Sequence, residues 1–258
     1  LANARTMCEQ TGSALGVDPN AVLVASTGVI GRAMPMDKIR AGIDRLMRAV
    51  ASKKRTGDFS KAILTTDLVV KRAGIRVTTG GGSFRIIGCV KGSGMIAPNL
   101  GTMLGFIATD LSVPRAALQA ALESAAVETF NCATVDGDTS TNDSVFLLSD
   151  QAGRPAKDQA LTPFAAALKW VCGQLAAQVV ADGEGATRTA VIFVGGAKTD
   201  CDARAAAYAI AHSPLVKTAL SGGDPNWGRI AAAAGRSGAV FSPADLSISL
   251  GDIDVLRH

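Results

Sequence analysis

The stretch "KGSGMIAPNLGTMLGFIATDL", Lys91 to Leu111, is as apolar as a core strand or helix, yet four glycines, Pro98 and Asn99 interrupt it. In its middle Thr102 sits directly behind Gly101. A buried segment with that many backbone breakers is bent rather than regular, and the bend is centred on one hydroxyl. On either side the chain alternates helical and strand-like segments. "GIRVTT" and "SFRIIGCV" flank Gly80 to Gly82 and read as a hairpin. "SVPRAALQAALESAAVETF" reads as a helix with Ser112 as N-cap and Pro114 in its first turn.

Further out, Leu1 to Leu15 has helical character and stops at Gly16, and "AVLVAS", Ala21 to Ser26, is a short strand candidate. "MDKIRAGIDRLMRAV" places Ile39, Ile43, Leu46, Met47 and Val50 on one helical face. "CATVDGDTSTNDSVFLLSD" reads as two strands around an acidic loop, and "TPFAAALKWVCGQLAAQVV" as a long buried helix. "TAVIFVGG" reads as a strand, "KTDCDARAAAYAIAHS" as a helix, "GGDPNWGRIAAAAGRSG" as a loop opening an Ala-rich helix, and "DLSISLGDIDVL" as β-like. Helices and strands intermix without a repeat or linker, which predicts an α/β or α+β layered sandwich.

Composition narrows the function classes. The 258 residues are 48% hydrophobic, enough for a substantial core, and 4% aromatic, which gives little support to stacking on bases. The net charge of +4 is spread thinly, and "SKKR", Ser52 to Arg55, reads as a solvated loop rather than a nucleic-acid patch. Five dispersed cysteines without a CxxC pair predict a reducing compartment and no structural zinc. No uninterrupted apolar run of membrane-spanning length is expected, and no signal peptide. The first residue is Leu and "LANARTM" reads as mid-helix, so the chain is expected to be a piece of something longer.

Among chemical motifs, the two histidines, His212 and His258, leave a hydrolase triad resting on His212 alone, and a capping or surface histidine is the favoured reading. HExxH, GxGxxG and GxxxxGK[ST] are absent. "TVDGDTSTNDS" has carboxylates alternating with hydroxyls, but its spacing fails the Ca²⁺-loop pattern, and a turn held by side-chain-to-backbone hydrogen bonds is favoured. Thr102 has no nearby histidine as base, and one solution is its own α-amine, exposed by a cut before it. That amine titrates at about 7.7 to 8.0, close to working pH. Gly101 lacks the Cβ that would hinder the hydroxyl's approach to the preceding carbonyl. On pattern alone, a Gly-Thr pair in an apolar strand is more often only a bulge.

Taken together, "VASTGVIGRAMPMDKI", "AILTTDL", "KGSGMIAPNLGTML", "FNCATVDGDTSTNDSV", "DGEGATR" and "GGDPNWGRI", in that order along the chain, resemble the ornithine acetyltransferase (glutamate N-acetyltransferase) family of arginine biosynthesis. The resemblance implies an α/β sandwich shared with self-cleaving β-aminopeptidases. It also implies autoproteolysis between Gly101 and Thr102, giving residues 1–101 as an α-chain portion and 102–258 as a β-chain portion, interleaved in one catalytic unit. The implied reaction is ping-pong: the N-terminal threonine takes acetyl from N-acetylornithine and passes it to glutamate, with acetyl-CoA as an additional donor in some members and no other cofactor or metal. Carried onto this sequence, Thr102 is the nucleophile, Thr27 and Gly28 form the oxyanion hole, and Thr65, Lys91 and Glu184 bind substrate. A heterotetramer of two α and two β portions follows from the resemblance, in the cytoplasm, or in the mitochondrial matrix for a eukaryote, without nucleic-acid or membrane partners. The family usually has alanine at the position of Gly101 and extends beyond both ends of this chain. An aminopeptidase or amidase of the same fold, with water as acceptor, and an inactive fragment are the alternatives.

Overall fold

The computed structural model describes residues 1–52, 57–97 and 103–257. Its centre is a four-stranded sheet in the order β1-β2-β3-β4. β1 (Lys71–Thr79) and β2 (Gly82–Lys91) form the expected hairpin, with Thr79 opposite Gly82 and Ile75 opposite Ile86. Gly82, at φ 111, turns the chain where a side chain would be strained. β3 (Leu104–Ser112) runs antiparallel to β2, and β4 (Ser144–Pro155) runs parallel to β3. The parallel pair needs a crossover, which α4 (Arg115–Val127) supplies. The opening stretch therefore contributes to two sheet elements, the last residue of β2 and β3 as far as Leu111.

Alternation sets the buried face. Phe84, Ile86 and Val90 of β2, Ile107 and Leu111 of β3 and Leu147 of β4 point toward α5 (Asp158–Ala181). That helix answers with Phe164, Leu168, Val171, Leu175 and Val179, each at 0 or 1% exposure. Burying each such side chain stabilises the fold by roughly 1.5–3 kcal/mol. Gly88 leaves the hollow that Leu175 fills, since a Cβ there would lie 3.0 Å from Leu175 Cδ1. By length and composition α5 could cross a membrane, which corrects the expectation that no segment qualifies. Its apolar residues are instead spent on the sheet. The opposite sheet face carries α3 (Phe59–Ala62), whose Phe59 meets Phe106 edge-on at 4.9 Å, with Phe106 against Phe146 at 5.7 Å.

Beyond the sheet, α6 (Asp200–Ala211), α7 (Pro214–Gly222) and α8 (Trp227–Gly235) bury Ile210, Val216, Ala233 and Ala234 together. β5 (Ile248–Leu250) and β6 (Ile253–Leu256) make a second, two-stranded sheet. α1 (Ala2–Leu15), closed by Gly16 in the left-handed region, meets α2 (Met36–Ala51) through Gln10, which donates to Asp44 at 2.6 Å.

Four expectations need correction. "AVLVAS", whose Ala21 ends a 3₁₀ turn, and "TAVIFVGG" join no ladder among the described residues, because strand propensity makes a strand only where a partner edge is present. The residues before the acidic loop are not a strand: Cys132 ends a 3₁₀ turn, Phe130–Cys132, and Ala133 to Val135 join no ladder among the described residues. Ser112 closes β3, and Pro114 occupies the N-cap of α4. α2 is the amphipathic helix expected, although Leu46 and Val50 of its apolar face are exposed.

Candidate active site

The site forms where β2 ends. Lys91, its last residue, is 2% exposed, and its ammonium donates to Thr27 Oγ1 at 3.3 Å and to Thr65 Oγ1 at 3.4 Å. Three of the residues singled out in the sequence thus meet from an extended segment, a loop after α3, and a strand end. Gly28 follows Thr27 on the same extended segment, exposed, with open space where a Cβ would stand. Glu184 comes from the turn after α5. Its amide donates to Ser93 O at 2.7 Å, and its exposed carboxyl lies against Gly94, where a Cβ would sit 2.8 Å from Glu184 Cδ. Gly101 and Thr102, the expected cleavage site, lie outside the described residues. The chain is described up to Ala97 and again from Met103, both buried.

The acidic loop does more than turn. It has the local bonds expected of it: Asp138 N–H donates to Asp136 and Asn142 N–H to Ser140 Oγ. It also grips three segments of the site. Asp136 accepts from Met95 N–H at 2.5 Å and Ile96 N–H at 3.0 Å, fixing a turn in which Met95 has φ 56. Asn142 Nδ2 donates to Ser26 O at 3.0 Å, next to Thr27. Asp143 Oδ1 accepts from Met103 N–H at 2.6 Å, one bond from residue 102. Among the described residues no group of His, Cys, Asp and Glu could hold a metal ion.

Beneath Lys91 lies a buried charge cluster that the sequence reading missed. Lys71 Nζ donates to Asp67 Oδ1 at 2.6 Å and to Asp182 Oδ2 at 2.5 Å, with all three side chains almost wholly shielded from water. The signal was the parity of β1: Lys71 shares the inward face with Ala73, Ile75 and Val77. A lysine there demands buried carboxylates.

Burial sets the local titration. It lowers the Lys91 ammonium from its ordinary value, against the pull of Asp67 and Asp143 and with the help of Lys71's repulsion. It pushes Asp143 up to about 7, opposed by the Met103 N–H and by Lys91. Asp143 Oδ2 is buried without a hydrogen-bond partner among the described residues. For Asp67 burial acts upward, but the Gly92 amide, Lys71 and the Thr65 amide outweigh it and hold the carboxyl below its usual range. His212 sits apart as the C-cap of α6, its ring stacked on Tyr208, and burial depresses its titration with Lys217 and Arg236 adding to the effect.

The arrangement offers hydroxyls, a shielded cation and a carboxylate around one strand end. A sequence model of the ArgJ family matches residues 1–258. The chain belongs to the ArgJ family. It is 48% identical over 99% of its length to the arginine biosynthesis bifunctional protein ArgJ of Dehalococcoides mccartyi, and 46% identical over 100% to that of Chlorobaculum tepidum. It spans 64% of the length of each of these relatives. The crystal structure of the ArgJ protein of Bacillus halodurans, 41% identical, superposes with a TM-score of 0.57 over 60% of this chain and 75% of that one. That likeness places the sheet and its helices in the mixed α/β architecture of ArgJ proteins.

Proposed function

We propose that this chain carries the catalytic centre of a glutamate N-acetyltransferase that moves acetyl from N-acetylornithine to glutamate. The observation that carries the reading is the meeting of Thr27, Thr65 and Lys91 within 3.3 and 3.4 Å at the strand end. The next strand begins just after Thr102. Cleavage between Gly101 and Thr102 frees the α-amine of Thr102, which takes the proton of its own hydroxyl as Oγ attacks the acetyl carbonyl. The proton passes to the departing ornithine nitrogen, leaving an acetyl ester on Thr102. The glutamate amine then attacks that ester, regenerating the hydroxyl.

Because Thr27 Oγ1 accepts from Lys91, its own proton is free to point at the oxyanion, beside the Gly28 N–H. Thr65, Lys91 and Glu184 bind the amino-acid substrate, Lys91 suiting a carboxylate and Glu184 an ammonium. The reading extends to acetyl-CoA as a second acetyl donor, to α (1–101) and β (102–258) portions interleaved in a heterotetramer, and to the cytoplasm as location.

Denaturing mass spectrometry tests the first step: two pieces divided between Gly101 and Thr102 are expected, and one intact chain for Thr102→Ala. An intact wild-type chain after prolonged incubation overturns the reading. Loss of acetyl from N-acetylornithine at full rate without glutamate would instead favour an amidase using water.

A further inference from the structure

Asp67, Lys71 and Asp182 touch every segment that presents a substrate-binding candidate. Asp67 Oδ1 accepts from the Gly92 amide at 2.7 Å, next to Lys91, and Asp67 Oδ2 accepts from the Thr65 amide at 3.3 Å. Asp182 Oδ2 accepts from the amides of Leu68 at 3.0 Å and Val69 at 3.5 Å, and Asp182 caps α5 two residues before Glu184. Lys71 joins the two carboxylates. We infer that Asp67, Lys71 and Asp182 form one positioning node that fixes Thr65, Lys91 and Glu184 relative to one another and sustains the charge of Lys91. The inference rests on the substrate-binding roles proposed above for those three residues.

Two features separate this node from a plain structural ion pair. First, each carboxylate spends its remaining acceptor capacity on backbone amides of the loop that carries Thr65, or of the turn after Lys91. A pair that only anchored α5 to β1 would not need those bonds. Second, the charges do not cancel within the node. Two carboxylates face one Lys71, leaving a net negative charge that the shielded ammonium of Lys91 balances. Among the described residues, the charged groups facing Lys91 are Asp67, Asp143 and Lys71. Asp67 and Asp143 favour the ammonium and Lys71 opposes it, so neutralising Asp67 makes Lys91 easier to deprotonate directly, and neutralising Asp182 does so by leaving the repulsion of Lys71 less compensated.

The experiment is an NMR titration of the lysine side-chain Nζ signals in the 258-residue chain, with Lys91 assigned by the Lys91→Arg variant. It compares wild type with Asp67→Asn and Asp182→Asn, both of which keep shape and an acceptor oxygen. Wild-type Lys91 is expected to titrate below ordinary lysines, and both variants to move it lower still. A merely structural role gives the opposite sign, because a loosened site wets Lys91 and its titration rises toward an ordinary lysine. An unchanged or upward midpoint in the variants overturns the inference. If Asp67→Asn fails to fold, Asp182→Asn carries the same test. Kinetics provides the second arm: KM for N-acetylornithine is expected to rise roughly tenfold or more, the scale of one charge-assisted hydrogen bond, with a smaller change in kcat. Absence of acetyl transfer in wild type would count against the proposed function alone, since the titration arm needs no turnover.

Discussion

Lys91 and Thr65, 26 positions apart in sequence, meet with ammonium and hydroxyl 3.4 Å from each other. The contact exists because β2 delivers Lys91 at its end, while the loop after α3 folds back over it, tied by Asp67 to the amide of Gly92. Lys91→Met removes the cation that orients both hydroxyls. The rate of acetyl transfer from N-acetylornithine to glutamate is expected to fall by about 10²–10³-fold, the scale of losing one oxyanion-stabilising donor. Steady-state kinetics checks it, and a variant within a factor of two of wild type would remove Lys91 from the machinery.

Asp143 supplies a pH prediction. Its folded-state titration lies at about 7, above the ordinary 3.8, so between those values the folded chain binds a proton that the unfolded chain has lost. Stability contributed by the protonated form is full below pH 3.8 and lost as the pH rises toward 7. Asp143→Asn keeps the acceptor for the Met103 amide and carries no charge. The variant is expected to melt at a higher temperature than wild type at pH 8, with a smaller gap at pH 5 that closes only below pH 3.8. Thermal unfolding at the two pH values measures this; an equal difference at both would show that the carboxyl is not titrating between them.

The hairpin and the long core helix were legible from local pattern, because alternation and amphipathic spacing are properties of neighbours in sequence, whereas Thr27, Thr65 and Lys91 were singled out only through the family resemblance. Lys71 was missed for the opposite reason. Its carboxylates stand at Asp67 and Asp182, and nothing in the sequence pairs position 71 with position 182 until α5 lies on the sheet. Asp143 was read only as part of a turn, since its bond to the Met103 amide crosses 40 positions. "AVLVAS" and "TAVIFVGG" erred in the other direction: their composition is that of strands, but pairing is decided by which edges are present.

Two glycines separate packing from function under the same substitution. In Gly88→Ala the new methyl lies 3.0 Å from Leu175 Cδ1, 3.2 Å from Ile107 Cγ1 and 3.3 Å from Phe106 O, in a core that cannot yield easily. A loss of about 1–3 kcal/mol is expected from overpacking, read by urea denaturation. In Gly94→Ala the three atoms nearest the methyl are those of the Glu184 carboxyl, at 2.8 to 3.0 Å, the far end of a flexible and exposed side chain. That carboxyl swings aside at little cost in stability, so substrate KM should rise while the denaturation midpoint stays within error. A Gly94→Ala chain with normal KM would mean that Glu184 does not hold the substrate.

Asn142 tests whether the acidic loop serves the oxyanion segment. Its amide donates to Ser26 O at 3.0 Å, the link between that loop and the residue before Thr27. The side chain is exposed, so Asn142→Ala is expected to change stability by no more than about 0.5 kcal/mol. The carbonyl it releases precedes the Thr27 amide, and the extended segment there has no ladder partner to hold it among the described residues. Freedom at that point spreads the positions of the Thr27 hydroxyl and the Gly28 N–H, which weakens stabilisation of the transition state more than binding of the ground state. The expected signature is a kcat lowered by roughly tenfold with KM nearly unchanged. Asn142→Asp, which offers no donor to Ser26 O, should behave like alanine, whereas Asn142→Gln should recover part of the rate. If Asn142→Ala instead raised KM at constant kcat, the loop would be acting on substrate binding and not on the oxyanion hole.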